Sequence, residues 1–204
     1  MHIGIVNMID DLDKTIEELL KRELPASLVQ QVSITFATPD SKFPPTSVTL
    51  PAVNLFLYDV RENLELREVD WTIDRNNGNP VKRRPPARID CSYLVTAWPN
   101  PASNTSALDE HRLLSEVMRV LIRHRTIPEA VLQGNLAGED PPVPGPALHP
   151  GRLQSPGEMW QALGGTPKAA LHYTVTLSVP AAAVETEALV VDKTMKFATD
   201  RGSA

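Results

Sequence analysis

Leu171-His172-Tyr173-Thr174-Val175-Thr176-Leu177-Ser178-Val179 alternates without a break: Leu171, Tyr173, Val175, Leu177 and Val179 share one parity, and His172, Thr174, Thr176 and Ser178 the other. Successive side chains of a strand point to opposite faces, so this stretch reads as a β-strand with one apolar and one polar face. Upstream, Ile89, Cys91, Tyr93, Val95 and Ala97 alternate with Arg88, Asp90, Ser92, Leu94 and Thr96, and Pro99 and Pro101 end the run. Further back, Val53, Leu55 and Leu57 alternate with Asn54, Phe56 and Tyr58. There both parities carry apolar groups, as in a central strand buried on both faces. Val32, Ile34 and Phe36 give a short first strand, and Pro39, Pro44, Pro45 and Pro51 make the connection after it irregular. Between the second and third strands the apolar set changes phase, from Leu64 and Leu66 to Val69, Trp71 and Ile73, which predicts a bulge near Arg67 and Glu68. Asn76-Asn77-Gly78 signals a turn, and the run from Pro80 to Pro86, with Lys82, Arg83 and Arg84, reads as an exposed loop.

Around these strands lie helical patterns. Ile5, Ile9, Leu12, Ile16, Leu19 and Leu20 recur at helical steps opposite Asp10, Asp11, Asp13, Lys14, Glu17, Glu18 and Lys21, ending near Pro25. A longer helix runs from Ser106, with Asp109 as capping-box partner, to about His124; its buried stripe is read as Leu114, Val117, Met118, Leu121 and Ile122. Pro128 opens a short helix that Gly134 closes, and residues 138–150 form a Pro- and Gly-rich connection. Ser155-Pro156-Gly157-Glu158 caps a helix carrying Met159, Trp160 and Leu163, which ends at Gly164-Gly165, both expected at positive φ. Leu189 and Val191 suggest one more strand before a loose tail. Strands grouped around one long helix, rather than alternating with helices, predict an α+β fold: a mostly antiparallel sheet packed with one long and several short helices. Residues 1–180 are read as the domain and residues 181–204 as an extension, a possible strand and then a loose arm.

Composition narrows the function. The chain has 204 residues, enough for one good-sized domain, and 19 of them are proline, against an average of roughly 5%. The formal charge of -5 and the lack of a dominant basic patch argue against nucleic acid. No stretch reaches the roughly 18 apolar residues of a membrane span, and residues 1–8 lack a secretory pattern, so assembly in a cytosol is expected. A single cysteine, Cys91, excludes an internal disulfide and a cysteine zinc site. Its place on an apolar-alternating strand reads as core.

Chemistry is sparse. There is no phosphate-cradling glycine loop, no paired histidines at helical spacing among His2, His111, His124, His149 and His172, and no strained serine elbow. Asp10, Asp11 and Asp13 lack the glycine and terminal glutamate of a calcium loop and are read as a solvated helix face. No cofactor, metal or catalytic residue is expected.

Five stretches together resemble one family. They are Asn54-Leu55-Phe56-Leu57-Tyr58-Asp59-Val60-Arg61-Glu62-Asn63, Tyr93-Leu94-Val95-Thr96-Ala97-Trp98, Glu110-His111-Arg112-Leu113-Leu114, Ile127-Pro128, and Trp160-Gln161-Ala162-Leu163-Gly164-Gly165 with the strand around Tyr173. In order and spacing they resemble the cap, or tail-terminator, proteins of phage-tail-like contractile injection systems of the virulence-cassette and antifeeding-prophage type, over about residues 5–180. The resemblance implies a tail-terminator-like fold and a non-enzymatic structural protein. Its copies would form a homohexameric ring that ends the inner tube and engages the last sheath layer. The implied partners are copies of itself, the inner-tube protein and the sheath protein, in the cytoplasm during assembly and outside the cell in a released particle.

A polar run at the end of a buried strand gains little from the core, so Tyr58, Asp59, Arg61, Glu62 and Asn63 are candidates for contact with a neighbouring subunit. Lys82, Arg83 and Arg84 are candidates for an acidic partner surface, with an ordinary solvated loop as the other reading. Trp98 and Trp160 are read as core or hinge packing. The Pro-rich connections and C-terminal arm suit reaching across neighbours, with a strand added to a sheath subunit's edge. Two other readings stand: a tail-completion or adaptor protein of a phage or another contractile machine, and a small cytosolic hydrolase built around Asp90, Cys91 or His111.

Overall fold

The computed structural model describes residues 8–68, 70, 72–76, 79–137, 156–180 and 185–186, with 72–76, 79–83 and 185–186 described as backbone. Several expectations fall on residues outside that set: Ile5, Val69, Trp71, Asn77, Gly78, the 138–150 connection, the Ser155 cap, the strand at Leu189 and Val191, and the tail after Phe197. In chain order the elements are α1 (Met8–Glu23), α2 (Ala26–Val29), β1 (Ser33–Thr35), β2 (Ala52–Glu62), β3 (Thr72–Asn76), β4 (Asn79–Arg83) and β5 (Ala87–Trp98). Then follow α3 (Ser106–Arg123), 3-10 turns at Glu129–Val131 and Gly134–Ala137, α4 (Pro156–Leu163), β6 (Ala170–Val179) and β7 (Glu185–Thr186).

The chain divides into two units. The first, Met1–Arg67 with Ala87–Val179, holds a four-stranded sheet in the order β1-β2-β5-β6. β5 pairs antiparallel with β2 and β6, whereas β1 runs parallel to β2, with Ser33 opposite Ala52. The α+β reading therefore holds, with one parallel pair at the edge. One sheet face packs on α1 and α3: Val53, Leu55, Cys91, Tyr93, Val95, Val175 and Leu177 join Leu12, Ile16, Leu19, Leu20, Val117 and Leu121 in a single core. The stripe on α3 is Leu113, Leu114, Val117, Val120 and Leu121, so Ile122, expected inside, stands 46% exposed one position beyond it, and Met118 is half-buried. Ile9, likewise expected inside, is 39% exposed.

The other parity of the sheet is buried too, but polar. Opposed residues on β5 and β6 bond across the strands: Thr176 Oγ1 donates to Asp90 at 2.7 Å, Ser92 and Thr174 share a hydroxyl bond at 3.1 Å, and Arg88 donates to Ser178. Such cross-strand pairs let β5 and β6 carry polar groups on a buried face, while the side-chain amide of the buried Asn54 on β2, opposite Thr96, has no hydrogen-bond partner among the described residues.

Two polar residues of α1, Asp11 and Thr15, are structural rather than solvated. Asp11 is 8% exposed and accepts from the backbone N–H and the side-chain amide of Asn135, both at 2.9 Å; Thr15 accepts from the Gln133 N–H at 3.0 Å. These bonds pin the segment carrying the 3-10 turns to α1, and Gly134 starts the second turn rather than closing a helix.

The second unit comprises Glu68–Pro86 and Pro180–Ala204. Its three strands run in the order β3-β4-β7, with Asn76 opposite Asn79 in the hairpin and Lys82 opposite Glu185. The run read as a loop from Pro80 is thus partly strand: the hairpin signal at Asn77-Gly78 continues into β4, which extends to Arg83.

Candidate assembly surface

A bulge shapes the end of β2. Leu57 pairs with Tyr93 and Asp59 with Ser92, leaving Tyr58 as the extra residue. The expected bulge near Arg67 is instead a turn that ends the strand, because Asn63 caps it. Asn63 Oδ1 accepts from the N–H groups of Glu65 and Leu66 at 3.1 and 3.2 Å. Its Nδ2 donates to both oxygens of the buried Asp90 at 3.0 and 3.2 Å, and its backbone N–H donates to the Arg88 carbonyl at 2.7 Å. Such an Asx turn gives backbone N–H groups a local side-chain acceptor and so competes with the strand ladder.

The other polar residues of the run are partnered within the chain. Tyr58 Oη lies 3.4 Å from His172 Nδ1 with the rings edge-on, and burial holds the His172 imidazole below its ordinary pKa. Arg61 Nε donates to Asp59 at 2.6 Å, and that bond raises the guanidinium's pKa. Arg67 forks onto Glu62, Nε to Oε1 at 2.8 Å and Nη2 to Oε2 at 2.7 Å, and this lowers the carboxyl's pKa. Beside these exposed charged side chains, large apolar ones also face outward. Val60, Leu64 and Leu66 are 46%, 67% and 41% exposed, three of the six exposed large apolar side chains among the described residues, all within seven positions. Sequence reasoning chose the polar residues and missed the leucines, which it read as one phase of a bulged stretch; the signal was Asn63, a turn former, directly before them.

Lys82 and Arg83 lie on β4 and Arg84 follows it exposed, in the second unit. The two candidate sets therefore belong to separate units.

At the other end of β2 the first unit has a cleft of about 570 Å³. Leu28, Val32, Leu113, Pro51 and Pro99 line it together with the charged Asp109, Arg112 and Glu116, and the Arg112 side chain is 75% exposed. Asp109 accepts from Ser103 Oγ and Thr105 Oγ1, bonds that hold its carboxyl below the usual range. The helix begins at Ser106 as expected, with Thr105 at the N-cap position making no side-chain capping bond, and Asp109 binds hydroxyls rather than closing a capping box.

The remaining motif residues pack. Trp98 stacks on Phe43 with centroids 4.2 Å apart, donates to Thr96 at 2.9 Å, and carries the Lys168 ammonium 4.7 Å from its ring centroid; Lys168 also pairs with Glu110. Trp160 is 3% exposed. Gly164 has φ +66°, but Gly165 does not share that conformation: a Cβ there would sit 2.7 Å from the Pro39 carbonyl oxygen and 3.2 Å from the Trp160 ring, so its need is space. Cys91 has no exposure, and burial pushes its thiol up to about 12. Asp90 projects from the opposite face of the sheet, and His111 is exposed on α3. Cys91 and Asp90 cannot act on one substrate from opposite faces. Among the described residues no three His, Cys, Asp or Glu side chains are placed to hold a metal ion, and no helix is long and apolar enough to cross a membrane.

Comparison with known proteins bears on the whole chain. Residues 11–193 match the Pvc16 N-terminal domain family. The search of curated proteins returned no match. Among solved structures, the fold is similar to the PVC sheath/tube terminator in the extended state, from an extracellular contractile injection system, with a TM-score of 0.65 and 26% identity over 95% of this chain and 65% of that one. It is also similar to the anti-feeding prophage cap, an AFP tube-terminating cap, with a TM-score of 0.61 and 23% identity over 93% of this chain and 61% of that one, a likeness of fold. The chain thus spans less than two thirds of the length of either structure. On a family match that covers most of its length, the chain belongs to the Pvc16 N-terminal domain family.

Proposed function

We propose that this chain is a structural cap, a tail terminator of a contractile injection system, whose copies form a ring that ends the inner tube and engages the last sheath layer. The observation that carries the reading is the likeness over 95% of the chain to a sheath/tube terminator, joined to membership of the family over residues 11–193. The physical requirement for termination is a subunit that offers a growing tube one compatible face and no continuation beyond it. In this reading the chain works with copies of itself, a tube protein and a sheath protein, without a cofactor or a catalytic residue, in the cytoplasm during assembly and on the particle after release. Glu62 and Asn63 hold the turn that follows them, and Tyr58, Asp59, Arg61, Glu62 and Asn63 are the candidate residues for contact with a neighbouring subunit. Lys82, Arg83 and Arg84 face an acidic partner surface from the second unit, and the segment after residue 180 serves to reach a neighbouring subunit.

Electron microscopy of particles from cells lacking this protein tests the reading. Absent, overlong or sheathless tubes, restored by the intact gene, are expected; particles of unchanged length and sheathing would exclude a terminator.

A further inference from the structure

One side chain breaks the bonded layer on the face of the sheet that turns away from α1 and α3. Asn54 has no exposure, and neither its Nδ2 nor its Oδ1 meets a hydrogen-bonding atom among the described residues. A buried donor and acceptor left unpaired carry the full penalty of their lost hydration, so folded proteins seldom keep them that way. The register sets Asn54 between Thr35 of β1 and Thr96 of β5, while Ile34 and Val53, of the other parity, join the helix-packed core. Neither threonine bonds to the amide. Thr96 Oγ1 accepts from the Trp98 indole at 2.9 Å, and Thr35 Oγ1 accepts from the Ala37 N–H at 3.4 Å. In both bonds the hydroxyl is the acceptor, so each keeps its own proton to donate.

The chemistry of the amide selects what fits beside it. Both of its ends need a partner, so the ligand must accept from Nδ2 and donate to Oδ1. A cation answers only the carbonyl and an anion only the NH2 group, whereas water does both. The neighbouring side chains on this face are short: Thr35 and Thr96 on either side, with Ser33 opposite Ala52 one pair away. With strands about 4.8 Å apart, short neighbours leave space at the ends of the amide that longer ones would fill. Thr35 is half-buried on β1, the three-residue edge strand, so the sealed amide sits one strand from solvent. We propose that Asn54 is the centre of an internal water site, in which ordered water bridges its amide to the hydroxyls of Thr35 and Thr96. Buried waters of this kind make about three hydrogen bonds to otherwise unsatisfied groups. The bridge ties β1 to β2 and β5 by side chains, a link that Asp90 with Thr176 and Ser92 with Thr174 make directly between β5 and β6. The site lies within one copy and stands apart from the cap reading.

Two measurements on the full chain test this site. A crystal structure of the unaltered protein, at a resolution that shows ordered water, should place a water about 2.7–3.2 Å from Asn54 Oδ1 or Nδ2 that also reaches the Thr35 or Thr96 hydroxyl. An amide bonded directly to a protein group, or an ordered amide with no water against it, overturns the proposal. In solution the readout is the direction of a shift. If water satisfies the amide, Asn54→Leu breaks a bonded site and lowers the urea midpoint; if nothing satisfies it, the same change removes a penalty and raises the midpoint. Thr35→Val guards against a simple misfit of leucine. Side chains that share a water lose it to either substitution, so the loss in the double variant should be smaller than the two single losses added together. A raised midpoint for Asn54→Leu, or losses that add in full, would show that no water joins these residues. Should Asn54→Leu fail to fold, the crystal structure of the unaltered chain decides alone.

Discussion

The hydroxyl of Tyr93 donates to Asp13 Oδ1 at 2.7 Å, tying the middle of β5 to α1 across 80 positions of sequence. Tyr93 has no exposure, and burial pushes its phenol well above the ordinary range, so it stays a donor. For Asp13, burial raises the carboxyl's pKa, and the bond from Tyr93 opposes that shift without cancelling it. Tyr93→Phe removes the donor from a half-buried carboxylate and should cost about 1–3 kcal/mol in urea unfolding at neutral pH. The pH dependence has a definite sign. A carboxyl whose folded pKa lies above its unfolded value contributes stability that is complete below 3.8 and lost as pH rises through the folded value. Asp13→Asn should therefore gain on the parent across that rise, and a stability difference that stays flat with pH would refute the assignment.

Asn63 joins the turn to the sheet, so Asn63→Ala should act on both. Losing the amide leaves two N–H groups without their acceptor and strips the buried Asp90 of one donor while Thr176 remains. A loss of about 2 kcal/mol in chemical unfolding is expected, at the level of one buried polar group left unsatisfied. The turn should also loosen, so that proteolysis between Asn63 and Arg67 is faster in the variant than in the parent. Equal cleavage rates would mean that Asn63 does not hold the turn.

The sequence showed β5 and β6 plainly because each carries an unbroken parity over many residues, as Leu171 to Val179 does. It hid the features set by contacts between distant residues. The bulge at Tyr58 was invisible because Phe56 and Leu57 make both parities of β2 apolar, so one inserted residue changes no pattern. Conversely, the visible phase change after Leu66 came from a turn. Asp11 and Asp13 read as solvent-facing because their partners, Asn135 and Tyr93, lie 124 and 80 positions away. At the candidate surface, residues 58–63 were legible as a place but not in their role. Polar character suggested contact with a neighbour, whereas each polar side chain bonds within its own chain and the exposed leucines follow.

Lys168 and Glu110 form a pair with side chains only 14% and 15% exposed, under the Trp98 ring. Removing one partner strands a largely buried charge. Lys168→Met should therefore cost about 3–5 kcal/mol, while Lys168→Met with Glu110→Gln should recover most of that loss. Thermal unfolding of the two variants beside the parent decides it: a double variant no more stable than the single would show that Lys168 acts through its packing on Trp98 rather than through the ion pair.

His172 gives β6 a pH response of the opposite sign to that of Asp13. Burial lowers its pKa below 6.5, since the half-buried ring beside Tyr58 disfavours the imidazolium. The unfolded chain then binds the proton more readily than the folded one. The stability His172 contributes is present above 6.5 and is lost as pH falls through the lower folded value. Melting temperatures taken from about pH 8 to about pH 5 should fall more steeply for the parent than for His172→Gln, which cannot titrate in that range. Parallel falls would place the acid sensitivity elsewhere. If the steeper fall is seen, acid should loosen the Tyr58 bulge before the core, because His172 is the residue against which that bulge packs.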